Sequence, residues 1–182
     1  MEILIGATGW QHEMWQSNYY PNDLPEEWQL DYYANDFDVI LIPYADWMKN
    51  DLFEDFDDLP DNFLLFFEVD NQTQQQAVKN MLLPEGVNLC QVEFPVKIQD
   101  ENLSHCHICE GQVFGEAKDS NKTVLLKVYA EHVINAEEIR QIITRVQDKY
   151  TDQERVVLFY DQALVDIGIL KQTQIIVDLL TA

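Results

Sequence analysis

The chain has 182 residues, 47% of them hydrophobic, and carries 33 acidic against 11 basic side chains for a net charge of −22. This is the composition of one acidic globular domain spanning residues 1–182, too short for a full eight-fold (β/α) barrel of about 250 residues. The charge repels phosphate backbones and anionic lipid, so neither free nucleic acid nor a membrane is an expected partner. No apolar run reaches the roughly 18–20 residues of a bilayer crossing and the start Met1-Glu2-Ile3 lacks the basic opening of a signal peptide, so the expected location is cytoplasmic.

In chain order, Glu2–Gly6 is a short apolar run that leads into Gly6-Ala7-Thr8-Gly9. Those four residues could cradle a phosphate through backbone amides, but they lack Walker or dinucleotide-binding spacing and fit a tight turn after a strand better. Leu24-Pro25-Glu26-Glu27-Trp28 places proline and carboxylates in a first helical turn, with Trp28, Tyr32 and Ala34/Phe37 following at helical spacing. Strand-like runs continue at Asp38–Ile42, Phe63–Val69, Val87–Phe94, Thr123–Tyr129 and Arg155–Tyr160, nearly continuous in apolar residues as in a parallel sheet covered on both faces. The segment from Asp51 to Asp61 alternates carboxylates with Leu52, Phe53, Phe56 and Leu59, which predicts an amphipathic element with a solvated acidic face.

Thr73 caps a predicted helix through Leu82. Asn135 followed by Glu138 forms the signature of a capping box ahead of the stripe Ile139, Ile142, Ile143 and Val146. A last helix is expected from Ile169 to Leu180. Gln99–Asn121 is irregular, with a weak strand at Gln112–Glu116. The alternation of strand and helix, without a linker or an internal repeat, predicts an α/β fold.

The N-terminal stretch IGATGWQHEMWQSNYYPNDLPEEWQLDYYANDFDVILI resembles the opening of the YecE-like family, domain of unknown function seventy-two. It has that family's strand, Gly-Trp loop, second Trp, Tyr-Tyr-Pro, Leu-Pro helix start, Tyr-Tyr-Ala and second strand in order over about forty residues. Weaker similarity extends to Asn62–Val69 and Thr123–Leu180. The resemblance implies a TIM-type barrel of unassigned activity. Combined with the short chain it predicts a reduced (β/α) barrel of about six or seven mainly parallel strands, with units missing between residues 87 and 122. Strand edges exposed by that loss would need cover, and a homodimer is one way to supply it.

Set against the family pattern, an acidic residue of the second strand is Leu41 here and the following Asn is Pro43. A lysine ending the third strand is Glu68, a Glu-Phe-Arg-His-Pro motif survives as Glu93-Phe94-Pro95, an Arg-Leu-His-Gly motif becomes Lys127-Val128-Tyr129-Ala130, and Phe159-Tyr160-Asp161 replaces Phe-Asn-Asn-Asp. Polar residues at strand ends, where barrels keep their active sites, are thus largely replaced. The resemblance therefore implies a binding or interaction protein that has lost most of the family's strand-end set, with protein and small-molecule ligands both open. The alternative is an enzyme with a carboxylate-lined mouth.

The candidate pocket at the strand C-termini comprises Trp10, Tyr44, Glu68, Asp70, Glu93, Tyr129, His132 and Asp161, carboxylates for acid/base work or cation binding and aromatics for stacking. The acids lack an evident basic or nucleophilic companion, and no Ser-His-Asp or Cys-His arrangement is visible. His105-Cys106-His107-Ile108-Cys109 holds zinc-type ligands, but only half of a four-ligand site, with Cys90 in an apolar strand and His132 distant. No metal and no cofactor is expected. The group Trp10, Trp15, Tyr19, Tyr20, Trp28, Tyr32 and Tyr33 fits packing of the first helix against the barrel better than a stacking surface.

Overall fold

The computed structural model describes residues 1–47, 56, 59–79, 88–94, 98–99, 106–114, 122–130, 132–161 and 166–181. The strands are β1 (Glu2–Thr8), β2 (Val39–Ile42), β3 (Leu64–Glu68), β4 (Asn88–Glu93), β5 (Ile98–Gln99), β6 (Cys106–Phe114), β7 (Thr123–Ala130) and β8 (Arg155–Tyr160). The helices are α1 (Gln29–Ala34), α2 (Tyr44–Trp47), α3 (Gln72–Lys79), α4 (Ala136–Lys149) and α5 (Ile167–Thr181). The sheet order β4-β3-β2-β1-β8-β7-β6 closes on itself through a β4–β6 pairing, giving a seven-stranded barrel onto which β5 adds as a hairpin partner of β6. Every neighbouring pair in the barrel is parallel except those of β6, which runs antiparallel to both β4 and β7.

A reduced, mainly parallel barrel is therefore what the chain forms. Of the weak strand predicted at Gln112–Glu116, residues 112–114 are the end of the nine-residue β6, and 115 and 116 lie outside the described residues. Between β4 and β7 no helix lies among the described residues; a reversed strand stands where crossover units would be. Reversal needs only turns, whereas each parallel step needs a crossover of a dozen or more residues. It also pairs both edges of the reduced sheet, so the open edge that made a homodimer attractive is closed by β6 within the chain.

Residues alternate between two cores. One shell, outside the barrel and beneath the helices, includes Ile3, Ile5, Ala7, Ile40, Ile42, Leu65, Phe67, Leu126, Val128, Val156 and Leu158. The lumen is a smaller cluster of Val39, Leu41, Phe66, Val92, Leu125, Val157 and Phe159, filled by side chains as a small barrel must be. Phe66 and Phe159 meet edge to face across it, ring centres 5.4 Å apart.

β1 runs two residues past the predicted turn: Gly6, Ala7 and Thr8 are strand, and the turn comes at Gly9, with φ 75°. Gly6 is needed for a different reason, close approach. A Cβ there would stand 2.5 Å from the Val39 carbonyl oxygen on the neighbouring strand. The buried Tyr33 seals the same junction, its hydroxyl donating to Val39 O at 3.1 Å and accepting from Ala7 N at 3.0 Å.

The aromatic group packs helix to barrel as expected: Trp15 stacks on Tyr33, and Tyr19, Tyr20 and Tyr32 meet edge to face. Trp28 is the exception, 59% exposed, because α1 begins only after it and the Glu26–Trp28 turn is a 3-10 turn. Of the acidic segment 51–61, only Phe56 and residues 59–61 are described; Phe56 is buried and Leu59 packs against the outer core.

The capping box on α4 is present in full. Asn135 Oδ1 accepts from Glu137 N at 3.0 Å and Glu138 N at 3.1 Å, while Glu138 Oε2 accepts from Asn135 N at 2.9 Å. Asn135→Ala should lower unfolding stability by about 1 kcal/mol in urea melts, and Asn135→Asp should retain most of it.

Candidate functional site

The six parallel strands point their C-terminal ends to one mouth, the end at which such barrels carry their sites. At that end the lumen ceases to be apolar. Lys127 faces inward, being in register with the lumen residue Phe159 and two positions beyond Leu125. Its Nζ donates to Glu68 Oε1 at 2.8 Å and lies 3.4 Å from Asp161 Oδ2. Glu68 ends β3 and Lys127 lies on β7, opposite walls in the ring order, so the ion pair spans the barrel just above the Phe66–Phe159 contact.

The Lys127 side chain is 5% exposed and those of Glu68 and Asp161 17% each, so solvent reaches the acidic side chains before the basic one. The Phe94 and Tyr129 ring centres lie 5.6 and 5.2 Å from Nζ, which adds cation–π attraction on the remaining sides. Burial works to lower the Lys127 pKa, but Glu68 and then Asp161 outweigh it and the net shift is upward, so the group is an ammonium at neutral pH. The Tyr129 phenol is pushed up by burial, against the pull of Lys127, and stays neutral.

Two further lumen groups flank this cluster. Thr8 is fully buried, and the alternation of β1, with Ile3, Ile5 and Ala7 outward, turns it inward; its Oγ1 has no hydrogen-bond partner. His107 is paired in register with Tyr129 on β6, and its Nδ1 is likewise buried without a partner. His12, in the loop after β1, packs against Trp15 with ring centres 4.4 Å apart and places Nε2 3.1 Å from the Gly9 carbonyl oxygen. Burial lowers its pKa despite the nearby Asp46 and Asp161, so the ring is neutral at pH 7.

The structure gathers Glu68, Tyr129 and Asp161 from the predicted pocket and disperses the others. Glu93 alternates with the lumen residues Val92 and Phe94 and pairs in register with the exposed Gln112, which puts it on the outer wall. Asp70 is exposed beyond the end of β3, where its backbone N–H is taken by Gln74 at the start of α3. His132 is drawn to the first turn of α4, with Nε2 2.9 Å from Glu138 Oε1. Trp10 is buried under the loop, its Nε1 without a partner, and the half-buried Tyr44 packs edge to face on Trp47.

The acids do have a basic companion, and it is Lys127. Its motif position was visible in the sequence, but lumen orientation was not, because β7 is apolar on both sides of it. The His/Cys cluster resolves differently. His105 lies outside the described residues. Cys106 packs in the outer core, whereas Cys109 is in register with Lys127 and His107 with Tyr129, so the two cysteines project to opposite faces of β6 and cannot share a metal ion. Among the described residues no group of three or more His, Cys, Asp or Glu could hold a metal ion.

The family model described as "Protein of unknown function DUF72" matches residues 4–43, the segment that carries the resemblance in the sequence. A solved DUF72 family protein from Thermotoga maritima superposes with a TM-score of 0.62 at 12% identity, covering 100% of both chains. At that identity the match shows the fold, a TIM-type barrel. No curated protein matches the sequence. No helix among the described residues is long and apolar enough to cross a membrane.

Lys127→Met leaves two partly buried carboxylates facing each other and should cost about 3 kcal/mol at pH 7. The deficit is read from urea melts of the variant and the wild type. His12 has a folded pKa below its ordinary 6.5. Below that pH the unfolded chain therefore binds the extra proton first, and stability falls as pH falls. His12→Gln should flatten the wild-type decline between pH 7 and 5 in the same melts.

Proposed function

We propose that this chain is a non-catalytic binding protein that seats a small molecule at the C-terminal mouth of its barrel. The observation that supports it is the engagement of Lys127. A lysine acting as nucleophile or general base must lose its proton near neutral pH, which enzymes achieve by desolvating it without compensating charge. Here two carboxylates raise its pKa, and the same contacts occupy the carboxylates. The cluster is built to hold charge in a fixed geometry, and the exposed sides of Glu68 and Asp161 give a ligand polar groups to meet.

The enzyme reading draws on one feature, His12, a neutral imidazole at the same end of the barrel, within electrostatic range of Asp161. Its Nε2 is engaged with the Gly9 carbonyl, and its ring with Trp15, which favours a positioning role for the loop over proton transfer.

The test is a chemical-shift titration of the isotope-labelled chain with a library of metabolite-sized amines, polyols and carboxylates. Saturable shifts at Glu68, Lys127 and Asp161, with every recovered compound unchanged, are the expected outcome. Shifts confined to other surfaces would remove the mouth as the site, and conversion of a bound compound, lost in His12→Gln, would replace binding with catalysis.

A further inference from the structure

The charge balance at the mouth points to the class of ligand, an inference that rests on the mouth being the binding site. One ammonium stands between two carboxylates, so the cluster Lys127, Glu68 and Asp161 carries one excess negative charge. The nearby His12 is neutral and adds no compensating cation. The side chains that solvent reaches are those of Glu68 and Asp161, 17% exposed each, while that of Lys127 behind them is 5% exposed. Whatever enters meets negative oxygen first.

The walls match the charge. Phe94 and Tyr129 already turn their rings toward a cation, at 5.6 and 5.2 Å from Lys127 Nζ. Thr8, wholly buried and turned into the lumen, has a hydroxyl with no partner. It lies one step along β1 from Ala7, which pairs with Tyr160, the residue before Asp161, so the hydroxyl belongs to the same level of the lumen as the Asp161 carboxylate. A hydroxyl oxygen accepts an N–H hydrogen bond, and a carboxylate accepts several.

We infer that the mouth binds a small organic cation, a primary amine of metabolite size, whose ammonium hydrogen-bonds Glu68 and Asp161 and completes a two-against-two arrangement of charge. An anion would add to the excess negative charge and reach Lys127 only by displacing the carboxylates that hold it. A metal ion lacks its ligand set among the described residues. The chain's net charge of −22 also draws cations toward its surface.

The intact chain, labelled as above, is titrated separately with butylamine, butanol and butyrate, probes of matched length that differ in charge. Butylamine should shift Glu68, Asp161 and Thr8 and bind about tenfold more tightly than the other two, a difference of about 1.4 kcal/mol. Asp161→Asn and Glu68→Gln should each weaken butylamine about tenfold. Thr8→Val, which keeps the shape and drops the hydroxyl, should weaken it by a smaller factor and serves as the variant least able to disturb the ion pair. Butanol or butyrate binding at the mouth as tightly as butylamine would overturn the cation assignment while leaving a small-molecule site there. Failure of all three probes to shift any mouth residue would overturn the assignment and the site together.

Discussion

A charge buried inside a narrow barrel must be neutralised there, and the upper half of this molecule is arranged around that requirement. Lys127 reaches across the lumen from β7 to Glu68 on β3, with Asp161 at the end of β8 as its second partner. Three strands that are not all neighbours in the ring are thereby tied by one ammonium. The constraint explains why the lumen changes character at one level. Phe66 and Phe159 close it with apolar contact, and immediately above them stand the charges of Lys127, Glu68 and Asp161 and the rings of Phe94 and Tyr129. An ion pair of this kind contributes less to net stability than apolar packing of the same volume would, because desolvation offsets much of the attraction. The net contribution of the cluster to how the fold stands up is correspondingly small.

The second constraint is closure with fewer units than a full barrel. A purely parallel barrel of seven strands needs a crossover at each step. This chain closes by reversing β6, which pairs with β4 on one side and β7 on the other. Gly111 permits the reversed strand to sit against the lumen, since a Cβ there would stand 2.6 Å from Val92 Cγ2 and 2.7 Å from Phe94 Cε1. Gly6 does the comparable service between β1 and β2. The reversed strand also decides the fate of the two cysteines, whose spacing suggests a shared site but whose strand geometry separates them.

Much of the architecture was legible in the residues. The parallel strands announce themselves as unbroken apolar runs because both faces are buried, and the α4 cap because Asn135 and Glu138 stand at the spacing that the backbone donors require. The reduced barrel follows from the N-terminal motif together with the length. The site was legible only in part. Glu68 and Asp161 stand out as acids at strand ends, but their partner does not, since a lysine in the middle of an apolar strand can equally snorkel outward. Only the register with Phe159 turns it inward. His132 and Glu93 failed for the complementary reason: proximity to a strand end does not fix which wall a side chain faces. His132 is captured by the acidic first turn of the helix that follows it, and Glu93 is carried outward by the alternation of β4. Trp28, part of a family-like pattern, is exposed because the helix starts one turn later than the proline and carboxylates suggest.

The reversal of β6 has a consequence for how this mouth can vary. In a parallel barrel, each strand delivers its last residues and the loop after it to the functional end, and sequence change accumulates there. From β6 the mouth receives the first residues instead, which is why His107 stands beside Tyr129 and the end of the strand, at Phe114, lies toward the opposite rim. Variation that reshapes the mouth on this side must therefore act through the first residues of β6, from Cys106 onward, and not through its last.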